Sequence, residues 1–108
     1  MSNVYNIENE TLKVAVKSAG AELSSIINKE NNLEYLWQAG AEWPKHAPIL
    51  FPIVGQLKGN KYRYNGNEYT LPRHGFARDS EFEVFDQSES SITFVLSCNA
   101  KTEAVYPF

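Results

Sequence analysis

The feature that most constrains the fold is a single Asn-Gly step, at positions 65–66, between two runs of alternating residues. Asn-Gly tolerates the left-handed backbone angles that both central positions of a two-residue type I′ turn require. Such a turn sets the register of the flanking strands, so Tyr62 is predicted to face Tyr69. Arg63 then faces Glu68 on the opposite side, and this pair of opposite charges favours the same register. The sequence therefore predicts an antiparallel β-hairpin here.

Several other segments repeat every two residues, and none shows a sustained helical period. From Leu12 to Lys17, larger apolar residues alternate with lysine or alanine, which is typical of a strand with one wet face. Apolar runs between polar turns predict further extended segments at 4–7, from Leu23 onward, and at 33–37, 82–86 and 92–98. The pattern predicts one antiparallel, all-β domain of the sandwich type.

Two apolar stretches carry further expectations. Residues 48–55 read PILFPIVG, but Pro52 lacks the N–H that a central strand position needs. We therefore expect a buried, largely extended crossing segment that brings Gln56 to one end of the core. Residues 105–108 end the sequence on apolar side chains without a charged tail. That ending predicts a domain cut at its C-terminus, with an apolar end capable of self-association.

Composition narrows the possible partners. With a net charge of -3 over 108 residues, the chain lacks the basic surface that nucleic-acid binding requires, and it gives no reason to expect an anionic membrane as target. Hydrophobic residues make up 43% of the chain, enough for one packed domain. Neither a secretory leader nor an apolar run of membrane length occurs, so a cytoplasmic location is the default expectation.

Cysteine and histidine are too sparse to predict a metal site. Cys98 is the single cysteine and stands in an apolar run, which predicts a small buried hydrophobe. His46 and His74 lie far apart in sequence, without neighbours at metal-ligand spacing. No G-x-S-x-G nucleophile motif and no Gly-rich phosphate loop occurs either.

The loop at 71–79, which reads LPRHGFARD, fits neither a turn nor a core. It gathers two guanidinium groups, from Arg73 and Arg78, around the imidazole of His74. One interpretation is a site for a polar ligand with an apolar face. The other is a structural loop whose arginines pair with nearby carboxylates such as Asp79 and Glu81.

The polar and aromatic residues outside the strands suit a sugar. Planar polar side chains form bidentate hydrogen bonds to neighbouring hydroxyls of a sugar, and an aromatic ring packs against its C–H face. The candidates are Gln56, Lys45, His46, His74, Arg78, Trp37, Trp43 and Phe76. Each has a structural alternative: the tryptophans as packing residues, Lys45 and His46 as solvated side chains, and Gln56 as a turn residue. His74 is the preferred candidate, because an imidazole between arginine and glycine is a poor core residue.

Taken together, these segments resemble the aldose 1-epimerase (galactose mutarotase-like) family. PILFPIVG at 48–55 followed by LPRHGFARD at 71–79 is similar to that family, and the His-Gly-Phe-Ala-Arg block is specific to it. GAELSSI at 20–26 and EYLW at 34–37 are similar to the branch encoded in lactose operons. The resemblance runs over essentially all 108 residues.

The resemblance implies a large antiparallel β-sandwich that interconverts the α and β anomers of a hexose without a cofactor. His74 matches the first histidine of the family's site, and Arg78 belongs to the same block. Gln56 falls about where galactose mutarotases carry a substrate-binding arginine, so the sugar preference is left open. The family's acid, a second histidine, and its base, a glutamate, would lie beyond residue 108. By this resemblance, residues 1–108 are the N-terminal part of one sandwich domain and lack most of the activity alone.

Three alternatives stay open, one of them structural, in which this segment serves only as half of a sandwich. A hexose-6-phosphate epimerase is suggested by Arg73, Arg78 and Lys45 as possible phosphate contacts. A non-catalytic carbohydrate-binding β-domain is suggested by the missing acid and base.

Overall fold

The N-terminal half of the chain forms a four-stranded antiparallel sheet. The computed structural model describes residues 3–108, and the sheet follows chain order, each strand pairing with the next. Its strands are β1 (Val4–Glu8), β2 (Leu12–Lys17), β3 (Glu22–Asn28) and β4 (Leu33–Glu34). The alternation that predicted β2 places Val16 in the core, opposite Tyr5 of β1. The β2–β3 turn bends through Gly20 at φ 70° and Ala21 at φ 47°.

The fourth strand is shorter than the 33–37 that its apolar residues predicted. The carboxylate of Glu34 accepts hydrogen bonds from the backbone N–H groups of Ile26 (2.8 Å) and Leu36 (3.1 Å). The backbone N–H of Tyr35 donates once more to the carbonyl of Ile26, at 2.8 Å, but that of Leu36 is bound by the Glu34 side chain, and the strand itself ends at Glu34. Trp37 therefore lies outside the sheet.

The central hairpin confirms the prediction made from the Asn-Gly step. Strands β5 (Lys61–Tyr64) and β6 (Asn67–Thr70) pair with Tyr62 opposite Tyr69 and Arg63 opposite Glu68. The two tyrosine rings stack with centroids 5.3 Å apart. Glu68, however, forms its ion pair diagonally with Lys61, at 3.6 Å, a reach that long side chains on one face of a hairpin allow.

The last hairpin is followed by a short helix that the sequence reading missed. Strands β7 (Glu83–Gln87) and β8 (Ile92–Val95) pair around a bulge, and α1 (Ala100–Val105) follows. The helix is nucleated by a capping box, in which Asn99 and Thr102 each bind the other's backbone N–H. Its six residues are too few to produce a helical period. The predicted strand 92–98 accordingly stops at 95, and Cys98, expected to be buried, is exposed.

The crossing segment is only partly as expected. Residues 48–55 form no strand, apart from a single bridge between Phe51 and Gly75. The prediction that the segment is buried was wrong, since Phe51 is 49% and Val54 is 77% exposed.

The buried core of the described residues is small, and its deeply buried apolar members are Val16, Leu71 and Ala77. The radius of gyration is 16.6 Å, against about 13 Å for a compact chain of this size. Many large apolar side chains are exposed as a result, among them Phe85, Val4, Tyr35 and Phe108. The eight strands within residues 3–108 all pair in antiparallel fashion, which confirms the predicted fold class. Within residues 3–108, no helix has the length and hydropathy needed to cross a bilayer.

Candidate functional site

The loop 71–79 is held in place by its glycine. Gly75 adopts φ +73°, and a Cβ there would lie 2.3 Å from the carbonyl oxygen of Phe51. That same oxygen accepts hydrogen bonds from the backbone N–H groups of Phe76 (3.0 Å) and Ala77 (3.1 Å). Only a residue without Cβ permits this close approach of two backbones. The loop is thereby tied to the crossing segment.

The preceding residue, His74, has its imidazole oriented by the same segment. The backbone N–H of Gly55 donates to Nδ1 of His74 at 2.9 Å. Because Nδ1 accepts a hydrogen bond, the proton of the neutral ring is assigned to Nε2. His74 is half-buried and adopts φ 64°, an unusual angle for a residue with a side chain. Its Nε2–H is thus a donor with a defined direction.

A groove of about 420 Å³ opens beside this imidazole. It brings together His74, Arg78 and Lys45, three of the residues predicted to bind substrate. The remaining lining is apolar and comprises Trp43, Ala47, Pro48 and Leu50. Such a groove can bind an oxygen-rich ligand that has an apolar face. The two cations and the imidazole meet its oxygens, and the indole and the apolar wall meet its apolar face.

Arg78 has donor groups that are not used in hydrogen bonds within the described residues. It lies in the 3₁₀ turn Ala77–Asp79, and its Nη2 donates to the carbonyl of Arg73 at 3.2 Å. Its Nε is buried without a hydrogen-bond partner among residues 3–108. Neither Arg73 nor Arg78 forms an ion pair with Asp79 or Glu81 within the described part of the chain. The carboxylate pairing required by the structural alternative for this loop is therefore not found.

Two of the predicted residues form a polar chain outside the groove. Arg73 is exposed, and its Nη2 donates to Oε1 of Gln56 at 3.1 Å. Gln56 in turn donates from Nε2 to Oδ1 of Asn60 at 2.9 Å. The side chain of Gln56 is thus bound to Arg73 and Asn60, and the carbonyl of Arg73 accepts a hydrogen bond from the groove residue Arg78.

Trp43 is a fourth candidate in the groove, and three further candidates are not part of its lining. Phe76 packs edge-on against Phe51 and Tyr106, with ring centroids 6.4 and 6.2 Å away. His46 has its backbone N–H and its Nδ1 directed at Glu22, and the Nδ1 is 4.0 Å from Glu22 Oε2. Trp37 donates from Nε1 to the carbonyl of Trp43 at 2.7 Å.

Sequence reasoning missed Leu50, Pro48 and Glu22. The first two belong to the apolar run 48–55, which was expected to be buried and instead contributes a wall of the groove. Glu22 is 8% exposed, and nothing in its neighbours marks it as special. Burial acts to raise the pKa of this carboxyl, but hydrogen bonds from the backbone N–H groups of His46 and Ala47 and the charge of Lys17 at 3.4 Å outweigh it. The pKa of Glu22 is lowered overall.

No cluster of three His, Cys, Asp or Glu side chains suited to a metal ion occurs among residues 3–108.

The family model for aldose 1-epimerase matches residues 3–108. Among curated relatives, the plasmid-encoded LacX protein of Lactococcus lactis subsp. lactis is 44% identical over 101 residues, covering 88% of this chain and 33% of LacX. The chain thus spans about a third of the length of the curated relatives it matches.

Two solved structures superpose closely on the chain. A galactose mutarotase related enzyme from Lactobacillus acidophilus has a TM-score of 0.95 and 48% identity, covering 98% of this chain and 36% of its own. A galactose mutarotase-like protein from Lactobacillus casei has a TM-score of 0.94 and 42% identity, over the same shares. These likenesses confirm the galactose mutarotase-like β fold and show that this chain corresponds to about a third of it.

Proposed function

The chain belongs to the aldose 1-epimerase family, and from this premise we propose that it supplies the sugar-binding N-terminal part of an isomerase that interconverts the α and β anomers of a hexose. The observation that carries the proposal is the oriented imidazole of His74 in the groove beside Arg78. The Nε2–H of His74 donates to a sugar oxygen, and Arg78 and Lys45 supply further donors. Trp43 and Leu50 face the C–H surface of the ring.

Anomer exchange also needs a base at the C1 hydroxyl and an acid at the ring oxygen. The base removes the C1 hydroxyl proton while the acid protonates the ring oxygen, and the C1–O5 bond breaks. Rotation about C1–C2 and reclosure on the other face reverse both proton transfers. The residues described here bind and orient the sugar, and we place the acid and base beyond residue 108. The domain is then one sandwich that continues past these residues.

The proposal is tested by joining residues 1–108 to the part of the Lactobacillus acidophilus enzyme that lies beyond the superposed region. Anomer exchange of galactose and glucose is followed by NMR for the chimera, for the parent enzyme and for the chimera carrying His74→Ala. We expect exchange above the buffer blank from the chimera and its loss in the variant.

Exchange by the parent but not by the intact chimera would contradict the proposal. Blank rates from both proteins would count against the isomerase class. Saturable sugar binding under those conditions would then favour a non-catalytic carbohydrate-binding domain.

A hexose 6-phosphate is the second candidate substrate. It is favoured by the lining of the groove, which includes Lys45 and Arg78 but no carboxylate. A phosphate group gains charge-assisted hydrogen bonds from such a pair. Competition by glucose 6-phosphate that is stronger than competition by glucose, and that weakens in Arg78→Ala, would move the assignment there. A cytoplasmic location and self-association through the apolar C-terminal end stay predictions.

A further inference from the structure

The turn between β2 and β3, residues 18–21, and the first residue of β3, Glu22, have no part in the function proposed so far. We propose that these residues hold the two walls of the groove in place. Glu22 is a positioning residue for the wall that carries Trp43 and Lys45, and Gly20 is the docking point for the wall that carries Arg78. The inference rests on the proposed function insofar as the groove is the sugar site. The contacts of Glu22 and Gly20 can be tested whether or not the groove binds a sugar.

Glu22 holds the wall that carries Lys45. Its Oε2 accepts hydrogen bonds from the backbone N–H groups of His46 (2.7 Å) and Ala47 (3.1 Å). Its Oε1 lies 3.4 Å from Nζ of Lys17, which balances the buried charge. Hydrogen bonds from N–H groups to an ionised carboxylate are about twice as strong as neutral ones. One side chain therefore binds two consecutive residues of the wall.

The wall needs this attachment because it has no regular structure of its own. Residues 38–46 belong to no strand or helix, and one bridge joins Ala47 to Leu23, next to Glu22. At the other end of the wall, the indole of Trp37 binds the carbonyl of Trp43. Trp43 and Lys45, the two groove residues of this segment, thus lie between two side-chain anchors. Release of the Glu22 anchor frees Lys45 first.

Gly20 receives the opposite wall. Its N–H donates to the carbonyl of Ser80 at 2.7 Å, and a Cβ on Gly20 would lie 2.7 Å from the carbonyl oxygen of Arg78. A bridge between Ala19 and Glu81 continues this contact. The backbone from Arg78 to Glu81 is therefore packed directly on the turn. Two residues apart, Gly20 and Glu22 hold the two walls, so the turn sets the width of the groove.

The experiment uses the 108-residue chain with Glu22→Ala and Glu22→Gln, and with Glu68→Gln as the matched control. Glu68 is an exposed hairpin glutamate whose ion pair to Lys61 is remote from the groove. Amide hydrogen exchange is measured at residues 46 and 47 and, as a reference, in β1 and β2. Binding of D-galactose is measured from tryptophan fluorescence, to which the groove indole of Trp43 and the neighbouring Trp37 both contribute.

We expect Glu22→Ala to accelerate exchange at both wall amides at least about tenfold and to weaken galactose binding by about the same factor, since two hydrogen bonds to a charged group are lost. Glu22→Gln keeps one acceptor oxygen and should recover part of both effects. Glu68→Gln should change neither. Reference amides in β1 and β2 that keep their protection distinguish release of the wall from general unfolding.

Unchanged protection at residues 46 and 47 in Glu22→Ala would overturn the inference, and so would equal losses in the Ala and Gln variants. If the unaltered chain binds no sugar, the proposed function fails instead. The exchange measurements then still decide whether Glu22 holds the wall.

Discussion

His74 and Gly55 are joined by two hydrogen bonds that run in opposite directions. The backbone N–H of His74 donates to the carbonyl of Gly55 at 2.8 Å, and the backbone N–H of Gly55 donates to Nδ1 of His74 at 2.9 Å. The first bond fixes the backbone and the second fixes the ring. A catalytic or binding imidazole gains from such support because its direction and tautomer are set before the ligand arrives.

Replacement of His74 by alanine should weaken galactose binding roughly tenfold or more, since one directed hydrogen bond to the sugar is lost. The matched variant is His46→Ala, because the other histidine of the chain lies outside the groove and contributes to the wall through its backbone N–H. Calorimetric titration of both variants with galactose measures the difference. Equal losses in the two variants would contradict the placement of the sugar beside His74.

Gly75→Ala should destabilise the chain by at least about 2 kcal/mol, because a left-handed residue acquires a Cβ that collides with the Phe51 carbonyl. Gly59→Ala is the control, since Gly59 also has a positive φ, +62°, but no atom of residues 3–108 lies within 4 Å of an added Cβ. It should cost only about 1 kcal/mol. Urea unfolding followed by tryptophan fluorescence gives both values. A Gly75 variant as stable as the Gly59 variant would rule out the tight contact.

The stability that Glu22 contributes should be lost below pH 4.5. The pKa of its carboxyl is lower in the folded chain than the ordinary 4.5, so folding favours the ionised form. This contribution is fully present above the ordinary value and disappears as the pH falls through the folded-state pKa. The difference in unfolding free energy between the unaltered chain and Glu22→Gln should therefore shrink as the pH is lowered from about 7 to about 3. A difference independent of pH would contradict the assignment.

Loss of the helix cap in Asn99→Ala should cost about 1 kcal/mol and should increase amide exchange within Ala100–Val105. Asn99→Ser keeps an acceptor for the Thr102 N–H and should restore most of the protection. Because Tyr62 donates to the carbonyl of Val105 at 2.6 Å, the tyrosine environment should change only in the alanine variant. An unaffected helix in that variant would show that packing, not the cap, holds it.

The sequence by itself determined those strands that a turn or an alternating pattern of neighbouring residues specifies. The turn at 65–66 and the alternation in Leu12–Lys17 required no knowledge of the rest of the chain, and both elements have the predicted bounds or register. The family resemblance pointed in addition to the loop at 71–79 and to His74, which the structure places in the groove beside Arg78 and Lys45.

Tertiary structure alone decided which side chains share the groove. Gln56 and Phe76 were reasonable candidates by residue type, but one is engaged by Arg73 and the other by Phe51. The exposure of Cys98 and the role of Glu22 likewise have no local signal. The physical reason is sequence separation: the contacts that orient His74 and hold His46 join residues 19 and 24 positions apart, and no periodicity or turn preference encodes contacts of that range.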